Sequence, residues 1–511
     1  MHKILSGICI LSMSFFVGCS SDDGGDSTGT DTTTGTDTAT GTDTATSTDT
    51  STASAACGTI DNEPAAVTPN CVLYPAEAGE IIIPVMISYG ADGGWPFPKG
   101  KNAAELAINE INAAGGIDGK KVQMYLCDSQ CDPQVGDAAF KQILQYRSEN
   151  SDKVAPVIVG PSCSSVAFNQ RKCKDSTDMK GVDALFTTAK AEKVAMIATS
   201  TESAALSAVD DGGYFFRTIG HSDQLGGAQA AYLANFRALT KLTVITPDDA
   251  WGKATAASVS QAFALQVGGD EADVVSTYRY TPPSTTETVA DWSTEALTYL
   301  EDSVDSTSKN GLFLVGYDAD TPLGNLMKEL ADFPVDDLNH IEFSGLSDAF
   351  FTDVTRDSFM VGKGGITPMA LDTASTTHFT AAFKTHSGED SQNYVPQTYD
   401  GIYMAAIAVA LSGADFTDGE KIKNNLQNKT ASGKDGIAGG WGDIDTNIKA
   451  DGEINYVGAS GPLDFDANGD VSSYYQHQEF NAAGAYTNCG CWDGAGAECD
   501  ATKVTFTACA Q

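Results

Sequence analysis

The alternation of helix and strand signals between residues 102 and 165 most constrains what this chain can fold into. Four apolar residues at helical spacing open the segment, namely Ala104, Ala107, Ile108 and Ile111. A Gly115-Gly116 pair then favours a helix end, and two short apolar strands follow at 122–126 and 155–159, separated by a helix that Asp132 can cap. The pattern predicts an α/β fold whose parallel strands are covered by helices on both faces.

The turn after the second of these strands is a candidate ligand site. It reads Gly160-Pro-Ser-Cys-Ser-Ser165, which places hydroxyl groups and free backbone N–H groups just beyond a strand. Open α/β sheets bind ligands at the carboxyl ends of their strands, and N–H groups at a helix start favour an anion. The turn therefore predicts a site for a carboxylate.

The second half of the chain repeats the rhythm of strand, loop and helix, with strands expected at 242–245, 311–315 and 341–343. Two such halves predict two doubly wound parallel sheets, each with its own core. We expect the chain to cross between them at 216–220, near 359–365 and near 458–470. Lobe one would then comprise residues 79–218 and 365–460, and lobe two residues 219–364 together with 461–480 near the hinge.

Composition excludes several classes of function. The chain has 511 residues, of which 68 are acidic and 30 basic, giving a net charge of −38, whereas a nucleic-acid-binding protein needs a basic face. Motifs for a nucleophile elbow, a Walker loop or a His-Glu-x-x-His zinc site are missing from the sequence. We therefore expect neither an enzyme nor a cofactor, although a catalytic triad assembled only by folding stays possible at this stage.

The N-terminus predicts export. Residues 1–18 have a basic start and an apolar run, and Phe16-Val-Gly-Cys19 resembles a bacterial lipobox, in which Cys19 would be acylated. An ordinary secretory signal is the alternative. Residues 19–78 combine a Thr/Asp/Gly-rich tether, too polar to order itself, with a small Cys loop. We expect an exported protein, lipid-anchored to a bacterial membrane and facing the periplasm or the cell surface.

Cysteine usage fits an oxidising compartment. Ten of the twelve cysteines remain when Cys9 and Cys19 are set aside, an even number that favours disulfides. Cys57 with Cys71 could close the N-terminal loop. Two bridges are expected in a C-terminal appendage at 481–511, among Cys489, Cys491, Cys499 and Cys509.

No metal site is expected. A metal cluster at Cys489-Gly-Cys491 is the weaker alternative there, because the sequence has no accompanying second CxxC motif or His cluster. The segment Asp464-Phe-Asp-Ala-Asn-Gly-Asp470 could suggest calcium, but Tyr475 occupies the position of the required bidentate Glu. A turn is the favoured interpretation.

Several motifs in order carry a family resemblance. They are residues 103–119, Cys131-Asp-Pro, Cys163-Ser-Ser165, Phe216-Arg-Thr, Asp249-Ala-Trp-Gly252, residues 394–399 and residues 461–470. Together they resemble the branched-chain amino acid binding proteins of bacterial ABC importers over about 79–480. The resemblance implies a type I periplasmic-binding-protein fold with two lobes and a three-segment hinge. It also implies a Cys131–Cys163 bridge, with Cys127 and Cys173 as a plausible neighbouring pair.

The resemblance further implies ligand-binding residues. Ser164, with Ser165 adjacent, would bind a ligand carboxylate, although Ser164 could merely cap a helix. Ser200 and Glu202 fall in the next ligand loop, where Glu202 would pair with an ammonium group or be an ordinary solvated residue. The other candidates line the cleft: Trp251, Tyr317, Tyr394 and Trp95. Trp251 could instead be structural, and the loop that carries the family's acidic contact has Ser347 and then Asp348.

The implied function is capture of an amino acid or related small polar ligand in the interlobe cleft, for delivery to an ABC permease. The expected partners are therefore the ligand, the permease and, through the lipid, the membrane. Two alternatives remain open at this stage. One is a ligand-sensing lipoprotein of the same fold, and the other is a structural or adhesive lipoprotein with a degenerate cleft.

Overall fold

A computed structural model describes residues 67–90, 98–172, 179–181, 184–282, 289–317, 321–332, 338–345, 357–481, 486–494, 496–497 and 499. The predicted signal, lipidated Cys19, most of the tether and Trp95 lie outside these residues, as do Ser347 and Asp348. Within the described part of the chain, none of the helices combines the length and apolar character needed to cross a bilayer.

The strands, in chain order, are β1 (Cys71–Tyr74), β2 (Ile81–Ile87), β3 (Val122–Asp128), β4 (Val157–Val159), β5 (Gln170–Lys172), β6 (Met179–Gly181), β7 (Ala195–Ala198), β8 (Phe215–Arg217), β9 (Lys241–Pro247), β10 (Val275–Tyr280), β11 (Asn310–Val315), β12 (Leu338–Ser344), β13 (Gly364–Met369), β14 (Asp435–Ile437), β15 (Asn455–Gly458), β16 (Gly461–Pro462), β17 (Tyr474–Phe480) and β18 (Tyr486–Asp493).

The α-helices, in chain order, are α1 (Pro98–Ala113), α2 (Pro133–Glu149), α3 (Ser164–Ala167), α4 (Leu185–Ala191), α5 (Ser222–Ala231), α6 (Ala250–Val267), α7 (Glu271–Val274), α8 (Ser293–Ser303), α9 (Thr321–Asp332), α10 (Asp357–Met360), α11 (Ala374–Ser387), α12 (Val395–Ser412), α13 (Gly419–Lys429) and α14 (Trp441–Asp451).

The first sheet has six strands in the order β1-β3-β2-β4-β7-β8, and all neighbours pair in parallel except β1 with β3. The local sequence patterns form the structures that they predict. The apolar stripe of α1 is buried, Gly116 adopts a φ of 77° where the helix ends, and Asp132 caps α2 by accepting from the N–H groups of Gln134 and Val135. Helices α11 to α14 return to this sheet and share its core.

The second sheet has seven strands in the order β10-β9-β11-β12-β13-β17-β18. Strands β9 to β13 pair in parallel, whereas β17 and β18 are antiparallel additions at one edge. The α/β class with two parallel sheets is therefore confirmed, and the carboxyl ends of both sheets can supply loops to a common cleft.

Sheet membership moves three expected boundaries. Strand β13 pairs with β12 and β17, so the chain returns to the first lobe after Met369 rather than at 359–365. Leu463, Phe465 and Val471 still belong to the first core, so the last crossing falls between Val471 and β17. Residues 486–493 form β18 of the second sheet, so the predicted C-terminal appendage is in part an edge strand.

Three disulfides lie in the described chain. Cys131 bonds Cys163, as the resemblance implies, and Cys491 bonds Cys499, within the expected C-terminal set. The expected Cys57–Cys71 and Cys127–Cys173 pairs are wrong, because Cys71 bonds Cys127. The reason is the antiparallel register of β1 on β3, which places Cys71 directly opposite Cys127 with 4.1 Å between their Cα atoms.

Candidate functional site

A small cavity lies between loops of the two lobes. Its lining residues are Cys131, Ser162, Cys163, Ser164, Ser200, Glu202, Trp251, Tyr317, Gly345 and Tyr394. They follow strands β3, β4, β7, β9, β11 and β12 at their carboxyl ends, apart from Tyr394, which precedes α12. The space inside it that a water-sized molecule can reach is only about 30 Å³, so in this form the cleft must open or its side chains must move before a small molecule can enter.

Six of the eight candidate ligand residues meet in this cavity: Ser164, Ser200, Glu202, Trp251, Tyr317 and Tyr394. Ser165 is buried but does not belong to the lining, and Trp95 lies outside the described residues. Gly345 and the Cys131–Cys163 disulfide also line the cavity. The sequence does not predict this position for them, although the resemblance implies the disulfide itself.

One wall of the cavity carries hydroxyl groups held by fixed hydrogen bonds. The Ser164 hydroxyl accepts from the Ser203 N–H at 3.2 Å, and the Ser200 hydroxyl donates to the Ser162 carbonyl at 2.7 Å. A hydroxyl that accepts one hydrogen bond keeps its own proton for another acceptor. Ser164 can therefore donate to a ligand oxygen while its position is fixed by the Ser203 amide.

Glu202 contributes an acidic group to the same cavity. Its side chain is buried, its Oε2 accepts from Trp251 Nε1 at 3.1 Å, and both of its oxygens lie 3.4–3.5 Å from the Tyr394 hydroxyl. Burial raises the pKa of this carboxyl to about 7, against the opposing effect of the two hydrogen bonds. Glu202 is thus a carboxylate whose charge changes near neutral pH, which marks it as a functional candidate.

Trp251 brings the second lobe to Glu202. It lies in the first turn of α6, which Asp249 caps by accepting from the Gly252 N–H at 2.8 Å. The Tyr317 hydroxyl donates to the same Asp249 carboxylate, and the Tyr317 ring lies 5.1 Å from that of Trp251. The indole therefore sits in a fixed aromatic pair at the mouth of the second lobe.

Because Gly345 has no side chain, Trp251 can occupy the space beside it. A Cβ atom at this position would lie 2.3 Å from Cη2 of the indole, and the glycine has a φ of 79°, in the left-handed region. A side chain at residue 345 would therefore displace Trp251, and only glycine adopts this backbone readily.

Arg217 holds the loop that carries Glu202, a role that sequence reasoning missed. The guanidinium is fully buried, donates to the carbonyls of Thr201 and Ser203 at 3.1 and 2.9 Å, and pairs with Asp470 at 2.5 Å. Only the positions of the two residues could have suggested this role, because Arg217 and Asp470 flank the first and last crossings between lobes. The pair fixes the Glu202 loop to the hinge.

A second direct contact joins the lobes beside the cavity. Gln170 of β5, from the first lobe, accepts from the Ala250 N–H at the start of α6 at 2.8 Å. Together with the Trp251–Glu202 bond, it links both sides of the cleft, so the two lobes are in contact around the polar and aromatic site.

Two lobes of parallel sheet, three crossings and a site between their carboxyl-end loops define a type I periplasmic-binding-protein fold. The profile of the periplasmic binding protein family matches residues 83–457, and the chain belongs to this family. Its members are extracytoplasmic substrate-binding receptors of ABC transporters rather than enzymes.

Solved structures with low sequence identity share the fold. The branched-chain amino acid transporter substrate-binding protein LivJ from Streptococcus pneumoniae, in complex with isoleucine, is 17% identical with a TM-score of 0.58, covering 80% of this chain and 97% of LivJ. A solute-binding protein of an ABC transporter from R. palustris, in complex with benzoate, is 13% identical with a TM-score of 0.58, covering 83% and 98%.

A curated relative matches a shorter stretch. An amino acid binding protein from Pseudomonas aeruginosa is 28% identical over 153 residues, which are 30% of this chain and 35% of the relative. The chain thus spans about a third of the curated relative that it matches.

Proposed function

We propose that this chain is an ABC-importer receptor that captures a small zwitterion, an amino acid or a close analogue, between its two lobes. The single observation that carries the proposal is that a hydroxyl donor, Ser164, and a buried carboxyl group, Glu202, line the same cavity. These two groups together complement a molecule that carries both an acid group and an ammonium group.

The hydroxyl wall supports recognition of the acid group. Ser164 and Ser200 line one cavity, but only Ser164 keeps its hydroxyl proton for a ligand, because Ser200 already donates to the Ser162 carbonyl. The Ser203 N–H fixes the Ser164 hydroxyl before a ligand enters. Pre-positioned donors lose little freedom when a ligand binds, which favours affinity.

Glu202 supports recognition of the ammonium group. A cation beside a buried carboxylate forms a charge-assisted hydrogen bond, which is stronger than a neutral one. Trp251 and Tyr394 already contact Glu202, and their rings can face an ammonium group or cover an aliphatic side chain. In this proposal Glu202 replaces the acidic contact that the family supplies from the loop containing Ser347.

An aromatic carboxylic acid is the second candidate ligand. The R. palustris protein that shares the fold was solved with benzoate, and this cavity has three aromatic residues, Trp251, Tyr317 and Tyr394. Such a ligand has no ammonium group, so Glu202 would have to stay protonated beside it. The two ligand classes therefore require opposite charge states of one carboxyl.

Calorimetric titration of the full chain against amino acids and aromatic carboxylates tests the proposal. We expect an amino acid to bind, and Glu202→Gln to weaken that binding about 10- to 100-fold, the size expected for a lost charge-assisted bond. The matched control is Glu301→Gln, on the exposed face of α8, which should bind as the parent does. Tighter binding of benzoate than of any amino acid would reverse the assignment.

We also propose what the receptor does after it has captured a ligand. We infer that the lipid on Cys19 holds the receptor at a membrane, where the closed form meets a permease. Cys19→Ser should release the chain from membranes into the soluble fraction. If the chain instead works as a sensor, ligand-dependent uptake will be unchanged when its gene is deleted, whereas an importer receptor is required for uptake.

A further inference from the structure

A second polar cluster lies inside the second lobe, among residues that the ligand site does not use. His340 and Glu342 are two residues apart on β12, and His477 and Glu479 are two apart on β17. Residues two apart on a strand point to the same face. The side chains of His340, Glu342 and His477 are 4%, 0% and 0% exposed, so a dry interior surrounds three groups that bind metals.

Strand β13 lies between β12 and β17, and it allows side chains from those two strands to approach each other. Gly364 of β13 stands opposite Glu342 on one side and Glu479 on the other. A glycine contributes no side chain, so the groups from the outer strands can approach each other above it. Glu342 Oε2 lies 2.8 Å from His340 Nε2, and Glu342 Oε1 lies 2.8 Å from His477 Nε2.

We propose that His340, Glu342 and His477 form a buried site for a divalent transition-metal ion, with zinc as the ion that fits best. One ligand atom from each residue lies within 4.8 Å of the other two. Zinc bonds to nitrogen and oxygen ligands are about 2.0–2.2 Å long, so ligand atoms on one tetrahedral ion lie about 3.3 Å apart. The two separations of 2.8 Å lie somewhat below that value, and 4.8 Å is the upper limit for the set. A bidentate Glu342 brings the donor atoms to four.

The surroundings also match a metal site. His477 Nδ1 lies 3.8 Å from a Glu479 oxygen, so a carboxylate is near the ring nitrogen that would stay protonated if Nε2 bound a metal. Without a metal, an Nε2–H group would donate to Glu342 across the 2.8 Å contact. A bound metal ion would take the place of that proton. Tyr232 stacks on His477 with 3.7 Å between ring centroids, which fixes the ring.

Among the residues that the structure describes, the arginine that contacts this cluster is already balanced. Arg237 pairs with Glu479, and the Tyr232 hydroxyl donates to the same carboxylate at 2.7 Å. Glu342 therefore remains as the anion that would offset part of the charge of a bound ion. A metal ion bound by residues of both β12 and β17 would link β17, the strand that follows the last crossing between lobes, to the parallel strands of the second sheet.

The test measures metal content in the full chain, produced without a polyhistidine tag from zinc-supplemented and from zinc-depleted cultures. We expect about one zinc per chain from the supplemented culture after dialysis, and a higher unfolding temperature than for the depleted protein. Cobalt in place of zinc should give visible absorption bands that report nitrogen and oxygen ligands around the ion.

Two conservative variants test the assignment of the ligands. Glu342→Gln and His477→Gln should each lower the zinc content at least tenfold, and His386→Gln, at an exposed position of α11, should leave it unchanged. Parent protein with less than about a tenth of a zinc per chain and no thermal shift would overturn the proposal, even if neither variant folds. Full zinc content in Glu342→Gln would also overturn it.

Discussion

The pH dependence of ligand binding gives the sharpest test of the role of Glu202. The pKa of its buried carboxyl is raised from 4.5 to about 7, so in the empty receptor the group is largely neutral below pH 7 and largely ionised above it. A ligand ammonium binds the ionised form. Binding at lower pH must therefore release the proton first, and the apparent affinity must fall as the pH falls.

The size of the effect follows from the shift. Each pH unit below the pKa costs about 1.4 kcal/mol, a factor of ten in affinity, so the dissociation constant at pH 5 should be about 100 times that at pH 8. At pH 6 about 0.9 proton should leave the protein for each ligand bound, because about nine-tenths of the empty receptor is protonated there.

Calorimetry in two buffers of different ionisation enthalpy measures that proton release directly. Glu202→Gln should bind more weakly but show a flat profile between pH 5 and pH 8, because the titrating group is gone. Binding that strengthens as the pH falls would refute the reasoning, since it would mean that the ligand requires the neutral acid, as an aromatic carboxylate would.

Three further substitutions, one of them with a matched control, have expected outcomes. Gly345→Ala should reduce ligand affinity at least tenfold by displacing Trp251, whereas Gly388→Ala, which has the same φ of 79° and no atom within 4 Å of the added Cβ, should lower stability by about 1–2 kcal/mol and leave titrated affinity intact. Trp251→Phe removes the indole N–H that bridges the cleft to Glu202, so small-angle scattering of the empty receptor should show a larger radius of gyration; an unchanged radius would mean that the bond does not favour closure. Asp470→Ala leaves the buried Arg217 without its carboxylate and should lower the free energy of unfolding by about 3–5 kcal/mol in chemical denaturation; a loss below 1 kcal/mol would show that the pair is not needed.

Local signals made much of the fold predictable. The buried stripe of α1, the Asp132 cap of α2 and the apolar strand β4 each depend on residues close together in the sequence, so pattern and propensity suffice to find them. The carboxyl-end turn at Ser164 follows from the same logic, because its place in the fold depends only on the strand before it.

What the sequence did not reveal depends on residues brought together from far apart. Arg217 and Asp470 are separated by 253 positions, and no local pattern indicates that they pair. The Cys71–Cys127 bridge depends on the antiparallel register of β1, an edge strand whose flanks read as loop. Strand β18 was not predicted because Asn488, Gly490 and Asp493 are poor strand formers.

The geometry also explains why fold likeness leaves the ligand class open. The solved structures with TM-scores near 0.58 hold isoleucine in one case and benzoate in another, although both share the arrangement of lobes with this chain. The fold positions loops at the carboxyl ends of two sheets, but each loop is free to carry a different charge. In this chain the charge in the cavity comes from Glu202, whose loop is held by Arg217 at the hinge. Because that carboxyl changes charge near neutral pH, its protonation when ligand is bound distinguishes a zwitterion from a plain acid.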